Sequence, residues 1–323
     1  MKINSVCGPV DTAQMGRTLI HEHIATLDAS MVQAFPDWYD REAVLNSFAE
    51  AIGRVKHYGV RTFVDQLPIN LGRDIHLLHE AAERAEIQLL CATGVYHTEQ
   101  PFISRNVDPE FMAEFFVRDL TVGIQGTDYK AALIKCATDK LCGESEVNRA
   151  MLRAAAIASK QTDAPIATHT YSKLRQGLYQ QRVFFEEGIA PHKILIGHSF
   201  DCLDREYLAQ LLDNGTYVGC DQIGIFHRAS TQDLAQCVAD LIHMGKGYEK
   251  QIVLSHDGGI VNDYAYSFAR WRRDPAKNNS LGFYDELFAH MLPELLARGV
   301  TQAQIDTMLE ENPRRYFEGK EIT

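Results

Sequence analysis

Apolar, β-prone runs recur along the chain at intervals of roughly 20 to 45 residues, and most gaps between them carry apolar residues at helical spacing. The runs are TLIHEH at 18–23, VRTFVDQ at 60–66, IQLLCAT at 87–93, AALIKC at 131–136, PIATHT at 165–170, KILIGH at 193–198, TYVGCD at 216–221 and QIVLSHD at 251–257, eight in all. Between the first two, 41–58 follows Asp40 and sets Val44, Phe48, Ala51, Ile52 and Val55 on one face, the stripe a helix needs to lie against a sheet. The stretch 146–160 repeats the pattern with Val147, Met151, Ala154, Ala155 and Ala158. Further helices are expected over 74–86, 109–121, 173–188, 204–214 and 231–246, with 283–298 and 302–311 closing the chain.

Eight such units predict a (β/α)8 TIM barrel with rim loops at the C-terminal ends of its strands and extra C-terminal helices. A doubly wound open sheet is the other way to alternate strands and helices, and no GxGxxG between a strand and a helix supports it. No Pro-, Gly- or Ser-rich linker divides the 323 residues, so 1–323 is expected to form a single barrel domain. The stretch 258–282 follows the eighth strand and carries Tyr264, Tyr266, Phe268, Arg270, Trp271, Arg272 and Arg273. In a barrel it lies on the rim where substrates are selected, which makes it the candidate substrate loop.

Composition narrows the partners. Hydrophobic residues make up 46% of the chain and charged residues 23%, enough to bury a large core. A formal charge of -11 opposes binding to nucleic acid or to an anionic membrane and leaves a small molecule as the expected partner. No run of about 18 apolar residues and no signal-type N-terminus is present. The seven cysteines are scattered without a CxxC pair, so reduced thiols and a cytoplasmic location are expected.

The chemistry gathers at strand ends. His21 and His23 are two apart on the first run, so the period of a strand turns both to one face. The fifth and sixth runs end in His169 and His198, and the eighth ends in SHDGG, where Asp257 is expected on the face of Ser255 and Val253, with His256 on the other. Imidazoles and a carboxylate at the C-terminal ends of strands one, five, six and eight suit zinc, and also cobalt, manganese or iron. Lys135, inside the apolar run LIKCA, would bury an unpaired ammonium at high cost. It must either pair with an acid such as Asp139 or react as the neutral amine with CO2, giving a carbamate whose two oxygens can span two metals.

With these residues in place, the sequence resembles the phosphotriesterase family of the amidohydrolase superfamily. That family has HxH on strand one, a carboxylated lysine on strand four, histidines on strands five and six, and aspartate on strand eight. The resemblance runs from GPVD through LIHEH, LIKCATD, IATHT, IGHSFD and SHDGG to ENPRRYF, nearly the whole chain. It implies two divalent ions, with Zn2+ the first choice and Co2+, Mn2+ or Fe the others. His21, His23 and Asp257 would hold the more buried ion, His169 and His198 the more exposed one, and the Lys135 carbamate would span both. A bridging hydroxide would be the nucleophile, Asp257 would accept its proton, and Tyr96 would contact the bridge or the substrate.

Substrate choice is less sharply marked. The family includes phosphotriesterases and lactonases. Where its lactonases carry GxDR and the dedicated phosphotriesterase has histidine after that aspartate, this chain reads GCDQ, with Gln222 after Asp221. Gln222 can neither make an arginine contact nor pass a proton from Asp257 toward Asp201, but it can hydrogen-bond a polar substrate. Arg228, Lys246, Arg270, Arg272 and Arg273 are the cations expected near the mouth, where one or two could hold a carboxylate or phosphate. The expected reaction is hydrolysis of a lactone or related ester. The alternatives are phosphotriester hydrolysis and a non-catalytic metal- or ligand-binding barrel. Related hydrolases imply a homodimer.

Overall fold

A computed structural model describes residues 1–97, 108–140, 143–225, 229–264, 268 and 284–322. Eight parallel strands form a nearly closed (β/α)8 barrel: β1 (Arg17–Glu22), β2 (Val60–Asp65), β3 (Gln88–Gly94), β4 (Leu133–Ala137), β5 (Ile166–His169), β6 (Ile194–Ile196), β7 (Tyr217–Cys220) and β8 (Ile252–Leu254). Each strand from β1 to β7 is hydrogen-bonded to the next in chain order. The seam between β8 and β1 is closed differently. Ser255 Oγ accepts from the His21 amide at 3.0 Å, and the Asp257 amide donates to the His21 carbonyl at 3.0 Å.

Outside the barrel lie α1 (Arg41–Lys56), α2 (Ile75–Ala85), α3 (Pro109–Thr121), α4 (Glu146–Thr162), α5 (Gln176–Glu186), α6 (Arg205–Asp213) and α7 (Thr231–His243). All but α5 start at an Asp or Ser (Asp40, Asp74, Asp108, Ser145, Asp204, Ser230) whose side chain accepts a first-turn amide, and this fixes where each begins. The chain ends in helical segments from Leu287 to Ala297 and from Gln302 to Glu318, the last turns lying beyond the expected 302–311.

Alternation along the strands sorts the core into two layers. Leu19, Phe63, Leu89, Ile134, Ile166, Ile196, Val218 and Ile252 pack against the helices. Ile20, Val64, Leu90, Leu133, Ala167, Leu195, Tyr217 and Val253 fill the barrel interior, where Tyr316 and Phe317 join them. Two residues on from these interior positions, toward the strand ends, stand Glu22, Gln66, Ala92, Lys135, His169, Gly197, Gly219 and Ser255, five of them polar. The apolar plug is thus topped by a polar layer. A register irregularity between Leu19 and Glu22 allows Ile20 and His21 both to face inward.

Strands β6 and β8 end two and three residues before their expected C-terminal ends, while β3 and β4 run one residue past theirs. His198 and Asp257 lie beyond β6 and β8 in left-handed backbone conformation, with φ of 54° and 52°. Period-two alternation therefore does not govern 255–257: Ser255 and His256, expected on opposite faces, both hydrogen-bond Glu22. Lys246, expected near the mouth, lies between α7 and β8. Helix-to-strand connections sit at the opposite end of a barrel from the strand C-termini, and there Lys246 pairs with Asp213 at 2.9 Å.

Candidate metal centre and active site

Five elements deliver the expected side chains to one place. The His21 ring is stacked on that of His198 at 4.7 Å, the His198 ring meets that of His169 at 4.5 Å, and His23 Nε2 lies 3.0 Å from Asp257 Oδ1. Lys135 Nζ lies 2.8 Å from His21 Nε2. His21, His198 and Asp257 each offer a donor atom within 4.8 Å of the others, a grouping that draws on both expected ion sites.

Asp221, buried at the end of β7, orients two of these histidines. Its Oδ2 lies 2.6 Å from His21 Nδ1, and its Oδ1 lies 3.2 Å from His198 Nδ1 while accepting the His198 amide at 2.8 Å. With Nδ1–H donated to a carboxylate, each ring keeps its Nε2 lone pair for an ion, the arrangement metal-ligating histidines use. A Cβ at Gly219 would stand 2.5 Å from Asp221 Oδ2, so glycine at that inward position gives the carboxylate room.

Burial and charge set protonation. His21 is held down to about 3, first by burial and then by the Lys135 charge, and His169 is likewise held to about 3 by burial and His198. Burial also pulls His23 down, but hydrogen bonds and charge from Asp257 and Asp65 outweigh it and raise the ring to about 9. The nearby imidazoles hold Asp257 and Asp221 well below the usual carboxylate range against the opposing effect of burial. Burial lowers Lys135 to about 8.

Lys135 does not pair with Asp139. Its amine contacts His21 Nε2, Gln66 Oε1 at 2.8 Å and the Thr168 carbonyl at 3.3 Å, three groups without formal negative charge. Asp139 instead lies 3.3 Å from His97 and 3.7 Å from His169. The Tyr96 hydroxyl is 3.2 Å from the His169 ring, and Gln222 Nε2 donates to Asp257 Oδ2 at 2.9 Å, so both expected substrate contacts border the metal-ligand candidates. Arg228, Tyr266, Arg270, Trp271, Arg272 and Arg273 lie outside the described residues.

Several residues of the site went unread in the sequence: Glu22, Asp65, Gln66, His97, Asp221 as a histidine partner, and His256. For Asp65, Gln66 and Asp221 a signal existed, since each is a polar residue at the C-terminal end of an apolar strand, where barrel enzymes keep their chemistry. Nothing in their spacing says which histidine each one meets.

The donor set suits divalent metals: His21 and His198 rings held through Nδ1 so that Nε2 turns to the other ligand candidates, a carboxylate, and a buried amine that forms no ion pair among the described residues.

Comparison with known proteins agrees with this geometry. Residues 1–317 match the model of the phosphotriesterase family. The phosphotriesterase homology protein of Mycobacterium tuberculosis is 36% identical over 98% of both chains, and the aryldialkylphosphatase of Saccharolobus solfataricus is 32% identical over 95% of this chain and 96% of its own. A solved structure of the phosphotriesterase from Mycobacterium tuberculosis superposes with a TM-score of 0.90 at 37% identity, covering 98% of each chain. A barrel with this polar layer, matched over nearly its full length by sequence and by shape, is a hydrolase belonging to the phosphotriesterase family of the amidohydrolase superfamily.

Proposed function

We propose that this chain is a binuclear metal-dependent lactonase. The observation that carries the reading is Asp221 gripping His21 and His198 through their Nδ1 atoms, leaving two Nε2 lone pairs beside Asp257 and Lys135. His21, His23 and Asp257 would hold one ion, His169 and His198 the other, and Lys135, carboxylated by CO2, would stand between them. When bound, such ions supply an acidified water and polarise the attacked carbonyl, and Zn2+ fits the donors first, with Co2+, Mn2+ or Fe as alternatives.

The protein's own part is orientation and proton handling. Asp257, kept ionised, can take the proton released as water adds to the carbonyl. Gln222 fixes the rotation of that carboxylate, and the Tyr96 hydroxyl can donate to the substrate oxygen. A lactone is favoured over a phosphotriester because the wall around Asp257 and His169 is polar, made of Gln222, Tyr96, His97 and Asp139.

Assay of Zn2+- and Co2+-loaded protein against a panel of lactones and phosphotriesters tests this. Lactone turnover should exceed phosphotriester turnover, and Asp257→Asn should lower kcat by about 100-fold or more while two ions remain bound. The opposite preference would make the protein a phosphotriesterase, and binding of two ions without turnover of any ester would make it a binding barrel.

For the whole molecule we infer a homodimer through the face bearing Ile69, Phe111 and Phe115, where the two phenylalanine rings lie 5.1 Å apart and both side chains are exposed. Light scattering that gives a monomer across a concentration series would remove it. The six described cysteines are all free, and among the described residues no helix is long and apolar enough to cross a membrane, which supports a reducing, cytoplasmic setting. The redox state of these thiols in cell extracts tests that reading.

A further inference from the structure

The seam between β8 and β1 is where the barrel lacks ladder hydrogen bonds, and Asp257 sits just beyond it. Glu22, the residue between His21 and His23, is fully buried there. Its Oε1 accepts from Ser255 Oγ at 2.8 Å, the His256 amide at 3.0 Å and His256 Nδ1 at 2.7 Å, and its Oε2 accepts from the Gly258 amide at 2.9 Å. The protonation pattern follows from the far side of the ring. The Leu287 amide donates to His256 Nε2 at 3.2 Å, so the ring is neutral and its Nδ1–H faces Glu22. A buried carboxylate is thus satisfied by four donors, none of them a cation.

All four donors come from residues flanking Asp257, whose own amide goes to the His21 carbonyl. On the other side, Tyr284 donates to the His23 carbonyl at 2.7 Å, and a Cβ on Gly258 would meet the Tyr284 ring at 2.9 Å. The segment 255–258 is therefore pinned between β1 and Tyr284, with Asp257 at its centre in a backbone conformation that non-glycine residues rarely adopt.

We propose that Glu22, acting through His256, is a positioning residue that holds Asp257 at the angle the reaction needs. The proposal rests on the metal-site reading above. It assigns a task to the middle residue of the HxH pattern and to the histidine of SHDGG, whose side chains meet each other and the backbone flanking Asp257.

The test uses full-length protein reconstituted with Co2+, with metal content, the visible Co2+ absorption, kcat and KM measured on each variant. Glu22→Gln keeps the volume but turns an amide toward one of its four donors. His256→Leu removes the ring donor, and His256→Asn keeps a donor near the Nδ1 position. Loss of a residue that orients a metal ligand costs about 10- to 100-fold. At saturating Co2+, Glu22→Gln and His256→Leu are expected to keep two ions, lower kcat by about that factor with KM within about threefold, and shift the Co2+ bands. His256→Asn is expected to restore most of what His256→Leu loses.

Wild-type kcat in Glu22→Gln and His256→Leu would overturn the proposal. So would activity lost only in proportion to metal lost, or a His256→Asn variant as impaired as His256→Leu. If Glu22→Gln does not fold, the two His256 variants decide, since Glu22 keeps other donors in both. A wild-type protein that takes up no Co2+ would instead refute the metal-site reading, and this proposal with it, whereas a two-ion wild type with unaffected variants would refute this proposal alone.

Discussion

Lys135 shows how much one side chain is asked to do. The residue is 2% exposed, its amine ringed by an imidazole, an amide oxygen and a backbone carbonyl, and burial lowers it to about 8 from its usual 10.5. Only the neutral amine attacks CO2, and for a base with a lowered pKa the neutral fraction grows as pH rises through the folded value. With metal-free protein and a fixed concentration of dissolved 13C-labelled CO2, the initial rate of carbamate formation at Lys135 should rise about tenfold per pH unit up to pH 7.5 and flatten above about 8. Ordinary surface lysines would still be gaining at pH 10. A rate at Lys135 that climbs in parallel with theirs would mean that burial does not tune this amine.

At the scale of elements, the site depends on how closely strands approach at their C-terminal ends. Gly94 closes β3 opposite Lys135 on β4, with φ of 110°, and a Cβ there would fall 1.9 Å from the Lys135 carbonyl oxygen. Gly94→Ala must push β3 and β4 apart just where Lys135 is presented, and a loss of more than about 2 kcal/mol in stability together with weaker metal retention is expected. Gly53, in the last turn of α1 with open space around it, is the control: Gly53→Ala should gain up to about 0.5–1 kcal/mol, as helix propensity alone dictates. Equal effects at the two positions in urea unfolding would contradict the close approach.

The same strand ends mark the limit of what could be read from sequence. The eight strands, the seven outer helices and the six metal-ligand candidates were legible because each rests on a period or on a residue type that is out of place in an apolar run. Extrapolating that period past a strand end failed. His198 and Asp257 reach the site because their backbones turn left-handed, and Ser255 and His256 share a partner that alternation would have separated. Glu22 and Asp221 stayed unread as organisers for another reason. Each is a lone acid on a buried strand, and its meaning lies in contacts with residues 234 and 200 positions away in the chain.

For the whole molecule, the polar layer is a store of mismatched protonation, and its sign predicts how the metal-free barrel responds to pH. His21 and His169 stay neutral in the fold down to about 3 but take up protons at their usual 6.5 when unfolded, so between those values the unfolded chain binds more protons and stability falls as pH drops. His23 works the other way: raised to about 9, it keeps a proton in the fold that the unfolded chain releases above 6.5, so its contribution is fully present below 6.5 and is lost as pH rises toward 9. Lys135, lowered to about 8, adds stability with rising pH only above that value, which leaves the window from 6.5 to 8 to His23 and to His198, whose ring Asp221 and Asp257 also raise against the opposing effect of burial. The unfolding midpoint of metal-free protein should therefore peak near pH 6.5 and decline on both sides. Metal binding needs His23 deprotonated, so saturating Zn2+ should abolish the alkaline decline. His23→Asn should make the limb from 6.5 to 8 shallower and leave the acid limb in place. An alkaline limb left unchanged by this substitution would show that the His23 and Asp257 pair does not carry the proton.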